Sequence, residues 1–393
     1  MVFEKCIEIY EQELLENVVP FWENHCIDKE CGGFFNSLDR DGSVFDTDKW
    51  MWMQWRIVCM FATLYSSPYS QDRWLEYAKS GFEWLFSHGK DSNGMYYFGL
   101  NRQGEPIVSP YNIYSEAFAV MGSAALYKAT QDPTYRNETL TAMNHYIQRM
   151  DNPKGRWEKS LPARKKHLRH GLYMIFANLG NVLKDCLQIN VYNEQIKEAV
   201  EIVVDHFWNP NYSVIFENIN PDYTFDLDSQ EGRHIIPGHG LESCWFILQY
   251  AEQNNRHELI PKICEEIKGI LDFSWDPKYG GILYFMDVLG KPHLELSWDM
   301  KLWWPHNEAI LATLYAYKLT KDQCFLDWFH NIDEYAFSHF RDPEHGEWFA
   351  YLNRQGSPTH MLKGGKWKTF FHLPRCLLLG IEQMKLCDDM INR

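Results

Sequence analysis

No stretch of the 393 residues stays apolar over the roughly 18 positions that a membrane-spanning helix needs. The opening residues, MVFEKCIEIYEQELLENVVPFW, are acidic and amphipathic. No basic segment leads into an apolar one, so no secretory signal is read there and a cytoplasmic location is expected. The ten cysteines show neither a C-x-x-C pair nor a regular spacing. That excludes a disulfide framework and fits reduced thiols. Positive charge is short, with 38 Lys and Arg against 53 Asp and Glu and a net charge of −15. A polyanion would be repelled, so neither nucleic acid nor a membrane surface is expected as a partner. There is no G-x-S-x-G and no cysteine in a recognisable nucleophilic setting. Nor does any Pro/Gly/Ser-rich linker divide the chain, which reads as a single domain over residues 1–393.

What is present is ordinary in bulk, with 45% apolar and 23% charged residues, as in a soluble globular protein. Aromatic residues reach 16%, including 16 Trp, which suits pockets for sugar rings as well as a packed core. The informative pattern is a repeat: an acidic residue, glycine, an aromatic pair, then Asp or Asn and another glycine. Full copies are DKECGGFFNSLDRDG, DSNGMYYFGLNRQG, DPKYGGILYFMDVLG and DPEHGEWFAYLNRQG. DNPKGRW is a truncated copy, and NYSVIFENINPDY has lost the glycines. The period of about 60 residues fits two helices plus a long, partly β-hairpin loop. Helix-like apolar segments begin near Trp52, Ser115, Gly171, Leu241, Glu308 and Pro374. Amphipathic segments such as Trp74 to His88, Glu194 to Phe207, His257 to Phe273 and Gln323 to Phe340 lie between them. The expected fold is all-α: a closed (α/α)6 barrel of six helix pairs, in inner and outer rings, with long rim loops that contain short β-hairpins.

In such a barrel every inner helix starts on one rim, and long loops there form a pocket. Ionisable residues recur at those starts: Arg56, Glu116 in YNIYSEAF, His170, His239 and Glu242 in PGHGLE, His306 and Glu308 in WWPHNEA, and His372 in FFHLPR. Two histidines facing one centre can exchange protons near neutral pH. An arginine can stabilise an enolate oxygen, and a carboxylate can help to open a sugar ring. Together they suit proton abstraction next to a carbonyl and its return from the other face. His239 and Glu242 also have H-x-x-E spacing, but no third ligand follows at a diagnostic spacing, so no metal is expected. Glu308 with Glu242 or Asp299 keeps an inverting glycoside hydrolase open as a distant alternative. Tyr111, Asn112, Glu116, Trp303 and Lys366 are candidate rim contacts for substrate.

These segments resemble the N-acylglucosamine 2-epimerase family along nearly the whole chain. The resemblance rests on DTDKWMWMQWR, PYNIYSEAFA, DNPKGRW, EGRHIIPGHGLESCWF, WDMKLWWPHNEA, and GEWFAYLNRQG with KGGKWKTFFHLPR. It implies the six-pair barrel and interconversion of N-acetylglucosamine and N-acetylmannosamine without a redox cofactor. It places Arg56, His239, Glu308 and His372 in the catalytic site, with Glu242 beside them, and implies a homodimer. Family members activated by nucleotide such as ATP carry a Pro/Gly turn and an apolar stretch after the DNPKG match. Here the basic PARKKHLRH (162–170) stands in that place, so the likeness to them stops there. His170 is a likeness to relatives that act on free aldoses. It keeps a free-aldose 2-epimerase, or an aldose–ketose isomerase acting on mannose, glucose or fructose, as the alternative.

Overall fold

In the computed structural model the described residues are 2–161 and 166–391. Among them, long helices alternate along the chain in the order expected from the repeat. Helix α1 runs from Glu4–Gln12 through a π-helical stretch, Glu13–Val18, into Val19–His25. It is followed by α2 (Met51–Tyr65), α3 (Asp72–His88), α4 (Tyr114–Thr130) and α5 (Pro133–Arg149). Then come α6 (His170–Leu187) and α7 (Asn193–Ile202, continued by the π-helical Val203–Phe207). Helices α8 (Pro237–Asn254), α9 (Leu259–Ser274), α10 (Trp303–Thr320), α11 (Gln323–His339) and α12 (His372–Ile391) complete the series.

Even-numbered helices form the inner ring and odd-numbered ones the outer ring. The division follows from composition. Helix α10 is buried on every side, from Pro305 to Lys318. Helix α9 has one apolar stripe, Ile263, Ile267, Ile270 and Leu271, with Glu265 and Asp272 facing water. The fold is therefore an (α/α)6 barrel. No helix of the described residues is long and apolar enough to cross a membrane.

The rim loops lock each repeat to the next. The short strand before an inner helix pairs antiparallel with the loop of the following repeat, as in Lys49↔Leu100, Leu168↔Ile219, His234↔Asp287 and Lys301↔Leu352. The same loops take up helix N–H groups that have no partner inside the helix. Met51 N–H donates to Phe98 O, His170 N–H to Glu217 O, and Trp303 N–H to Ala350 O. The acidic residue of the repeat has a matching task. Asp28 pairs with Lys49 and with Arg102 of the next repeat, and Asp276 pairs with Lys301 and Arg354. Asp342, in the sixth copy, pairs with Lys363 at 3.0 Å and with Arg40 of the first copy at 2.7 Å. That last pair closes the ring, since one device joins repeat one to two, five to six, and six back to one. Phe61 meeting Phe370 at 5.0 Å completes the seam.

Asp342→Asn is expected to lower stability by about 3 kcal/mol, because it leaves the fully buried Lys363 ammonium without its carboxylate. Urea unfolding of the variant checks this. A loss as small as that from breaking the surface pair Lys268–Asp322, below about 1 kcal/mol, would show that the seam does not depend on it.

Candidate active site

A cavity of about 340 Å³ opens among the rim loops and runs down the first turns of the inner helices. Arg56, His239, Glu242, His372, Tyr111, Asn112 and Trp303 line it, as do the unforeseen Trp304, Asn178 and Arg375. Glu308 lies just beneath, fully buried, as the sixth residue of α10. Arg56 and Glu242 hold the same place in α2 and α8, which is why three separate motifs converge on one depth.

The two histidines both lie beside the indole of Trp304, at ring separations of 5.3 Å for His239 and 5.7 Å for His372. Trp304 can lie there because Gly238 has no side chain: a Cβ at that position would meet the indole at 2.6 Å. Each imidazole is held from behind by a carboxylate. His239 Nδ1 lies 3.0 Å from Glu217 Oε2, and His372 Nδ1 lies 2.7 Å from Glu308 Oε1. A carboxylate paired this way accepts, so each Nδ1 carries the hydrogen and each Nε2 is left for a substrate. Glu308 also accepts from Trp245 Nε1 at 2.8 Å, and so serves the site without facing the cavity.

Their surroundings pull the two histidines apart. Burial disfavours charge on both. At His239 the Glu217 carboxylate, with Glu242 and Glu308 behind it, outweighs burial and raises the pKa above the ordinary value. At His372 burial is reinforced by the Arg56 and Arg375 guanidinia, and the pKa falls well below it. Of the two, His372 is therefore the free base and His239 the ring that holds a proton more readily.

Two arginines divide the remaining charge. Arg375 Nη2 bridges Glu242 at 2.8 Å and Glu308 at 2.7 Å. Arg56 makes no ion pair among the described residues and sits between the rings of Trp52, Phe118 and Phe371, at 4.8, 4.0 and 4.8 Å. Burial pushes its pKa down to about 9 despite Glu242. An unneutralised guanidinium on the wall of an aromatic cavity is a ready partner for an oxyanion.

Glu242, Glu308 and His372 bring three possible ligand atoms within 4.8 Å of one another. A divalent ion there would face Arg375, which already binds both carboxylates. Glu242 and Glu308 thus stand closer together than the carboxyl pair of an inverting hydrolase, about 6.5–9.5 Å apart to admit water.

Three expected contacts sit elsewhere. Glu116 is buried away from the cavity, pairing with Arg149 at 2.7 Å and accepting from the Tyr96 N–H, and burial raises its pKa to about 7. Its role is to tie α5 to α4. His170 lies behind Gly171, against the ring of Phe207, with Nδ1 3.9 Å from Glu217 and Nε2 buried without a partner. Lys366 lies over Trp50 and Phe98 beside Trp367 and is not among the lining residues. His306 is structural: Nε2 accepts from the Ile282 N–H and Nδ1 bonds Leu302 O. Part of the basic segment, residues 162–165, lies outside the described residues. Beyond it, His167 Nε2 is 3.1 Å from Asp226, and Lys166 and Arg169 share a small polar hollow with Asp151, Glu158 and Glu231.

Residues 33–376 match the N-acylglucosamine 2-epimerase (GlcNAc 2-epimerase) family. The chain belongs to this family. It is thus an isomerase of the carbohydrate epimerase type. It is 36% identical to an N-acylglucosamine 2-epimerase of Bos taurus over 96% of this chain and 89% of that one. Identity to a cellobiose 2-epimerase of Bacteroides fragilis is 26%, over 94% and 97%. In fold, the chain is similar to the crystal structure of a D-mannose isomerase, with a TM-score of 0.84 and 19% identity, over 96% of this chain and 98% of that one. Glu217, which bonds His239, and Arg375, which bonds Glu242 and Glu308, are side chains of this candidate site that motif reading passed over. Arg375 stands three residues after His372, in the same HLPR motif.

Proposed function

We propose that the chain interconverts N-acetyl-D-glucosamine and N-acetyl-D-mannosamine by moving the proton on C2. The observation that carries the reading is the pair His239 and His372, both lining one cavity beside Trp304 with basicities driven apart. The pyranose first opens, with His239 or Glu242 assisting at the ring oxygen. His372, free at neutral pH, takes the C2 proton alpha to the C1 aldehyde. Arg56 holds the resulting enolate oxygen on C1, whose charge it can match without leaving another carboxylate unpaired. His239 delivers its proton to the opposite face, which inverts C2. The reverse reaction begins from the exchanged protonation state. Each base needs hydrogen-bond reach of its face of C2, about 2.6–3.2 Å.

Greater identity to the N-acyl epimerase than to the cellobiose epimerase supports an acetamido substrate over a free aldose. The apolar floor of the cavity supports it too. Nothing in the proton transfer calls for a nucleotide. The ten free cysteines support a reducing, cytoplasmic setting, and a homodimer is part of the same reading. Proton NMR in D2O, with N-acetylmannosamine and mannose in parallel and without nucleotide, tests the substrate. N-acetylglucosamine accumulating from the first sugar is the expected result. Exchange with mannose alone would overturn the acetamido reading, and a strict need for ATP would overturn the nucleotide-free one.

The pH profile of kcat/KM should be bell-shaped, rising as His372 loses its proton and falling as His239 loses its own. Glu217→Gln removes the charge that raises the His239 pKa, so burial prevails and the basic limb should move to lower pH. A basic limb left in place in that variant would assign it to another group.

A further inference from the structure

The catalytic groups occupy the upper cavity, while the deep end is apolar except for one amide. Asn178 lies on α6, one turn below Met174 and Ile175 and on the same face. It is 4% exposed and lines the cavity with Met121 and Phe246. Its Nδ2 has only the Met121 thioether, at 3.9 Å, and its Oδ1 has no protein partner among the described residues. The neighbouring Asn181 on the same helix donates to Phe246 O at 2.8 Å and has its Oδ1 sealed among the described residues, whereas Asn178 faces the cavity, where a ligand can reach it. A buried amide left with one weak contact is costly unless a ligand completes it. Met121 stands one turn below Phe118, whose ring carries Arg56, so Asn178 lies beneath the place assigned to the C1 oxygen.

We propose that Asn178 recognises the amide of the sugar's C2 substituent, donating to its carbonyl and accepting from its N–H, while Met121, Met174, Ile175 and Phe246 hold the methyl group. This rests on the epimerase reading and deepens it. A hydroxyl at C2 would fill neither the amide contacts nor the apolar floor, so the same side chain sets the preference for acetamido sugars over free hexoses.

The test compares wild type, Asn178→Leu and Asn178→Ser on N-acetylmannosamine by NMR. KM is expected to rise tenfold to a hundredfold in both variants, with kcat within about threefold. A second arm uses the wild-type enzyme and a mannose analogue in which CH2 replaces the amide N–H (2-acetonyl-2-deoxymannose). Its KM should be at least tenfold above that of N-acetylmannosamine. Wild-type KM in a folded Asn178 variant, or equal KM for the two sugars, would overturn the assignment while leaving the epimerase reading intact. Wild-type enzyme inactive on N-acetylmannosamine would instead overturn the reading beneath it.

Discussion

His372→Asn is expected to slow epimerisation of N-acetylmannosamine by about 10²- to 10⁴-fold, and His239→Asn by a similar factor. Each ring is the single proton carrier for one face of C2, and asparagine of similar size can still donate to the carboxylate behind it. The fold should therefore survive in both variants. Because the two rings act in one proton circuit, the double variant should be little slower than the slower single one. Near-full turnover in either single variant, measured by the appearance of N-acetylglucosamine, would end the two-base scheme. Losses that multiplied in the double variant would show that the rings act independently.

Arg56→Met should lower kcat by about 10²- to 10³-fold, the usual cost of removing a donor aimed at a developing oxyanion. Its effect on stability should run the other way. Arg56 is a buried guanidinium without an ion pair among the described residues and with its Nε unpartnered. An apolar side chain of similar length removes a desolvated charge from between three aromatic rings, so the unfolding temperature should hold or rise. Arg375 makes the contrast: it binds two buried carboxylates, and the same substitution there would strand both. If Arg56→Met unfolded earlier and kept its kcat, Arg56 would be a packing residue and the enolate would need another partner.

The barrel was legible because its repeat is built from groups with fixed local tasks. Asp28, Asp276 and Asp342 each turn the chain and bind a cation from the next copy, so their recurrence shows in the sequence. Closure was only an inference there, since nothing local shows that Arg40 reaches Asp342, some 300 residues on. The convergence of Arg56, Glu242 and Glu308 was legible for a related reason: they fall at one position of equivalent helices. Glu116 misled because Arg149, arriving from the outer ring, draws it into a structural pair. Glu217 was missed because it sits in the copy that had lost its glycines, where the motif gave no anchor. Asn178 carries no charge and follows no motif. Its significance appears only when α6 is turned to show that it faces the cavity among methionines and an isoleucine.

The central claim is that one residue takes the C2 proton and another, in exchange with water, returns one from the opposite face. The direct measurement is the isotope at C2 early in the conversion of N-acetylmannosamine in D2O, read separately for product and for recovered substrate. The account predicts N-acetylglucosamine almost fully deuterated at C2, while the remaining N-acetylmannosamine still carries hydrogen. Product that kept the substrate's own proton would contradict it, because a single carrier, or no exchangeable carrier at all, would then be moving the hydrogen.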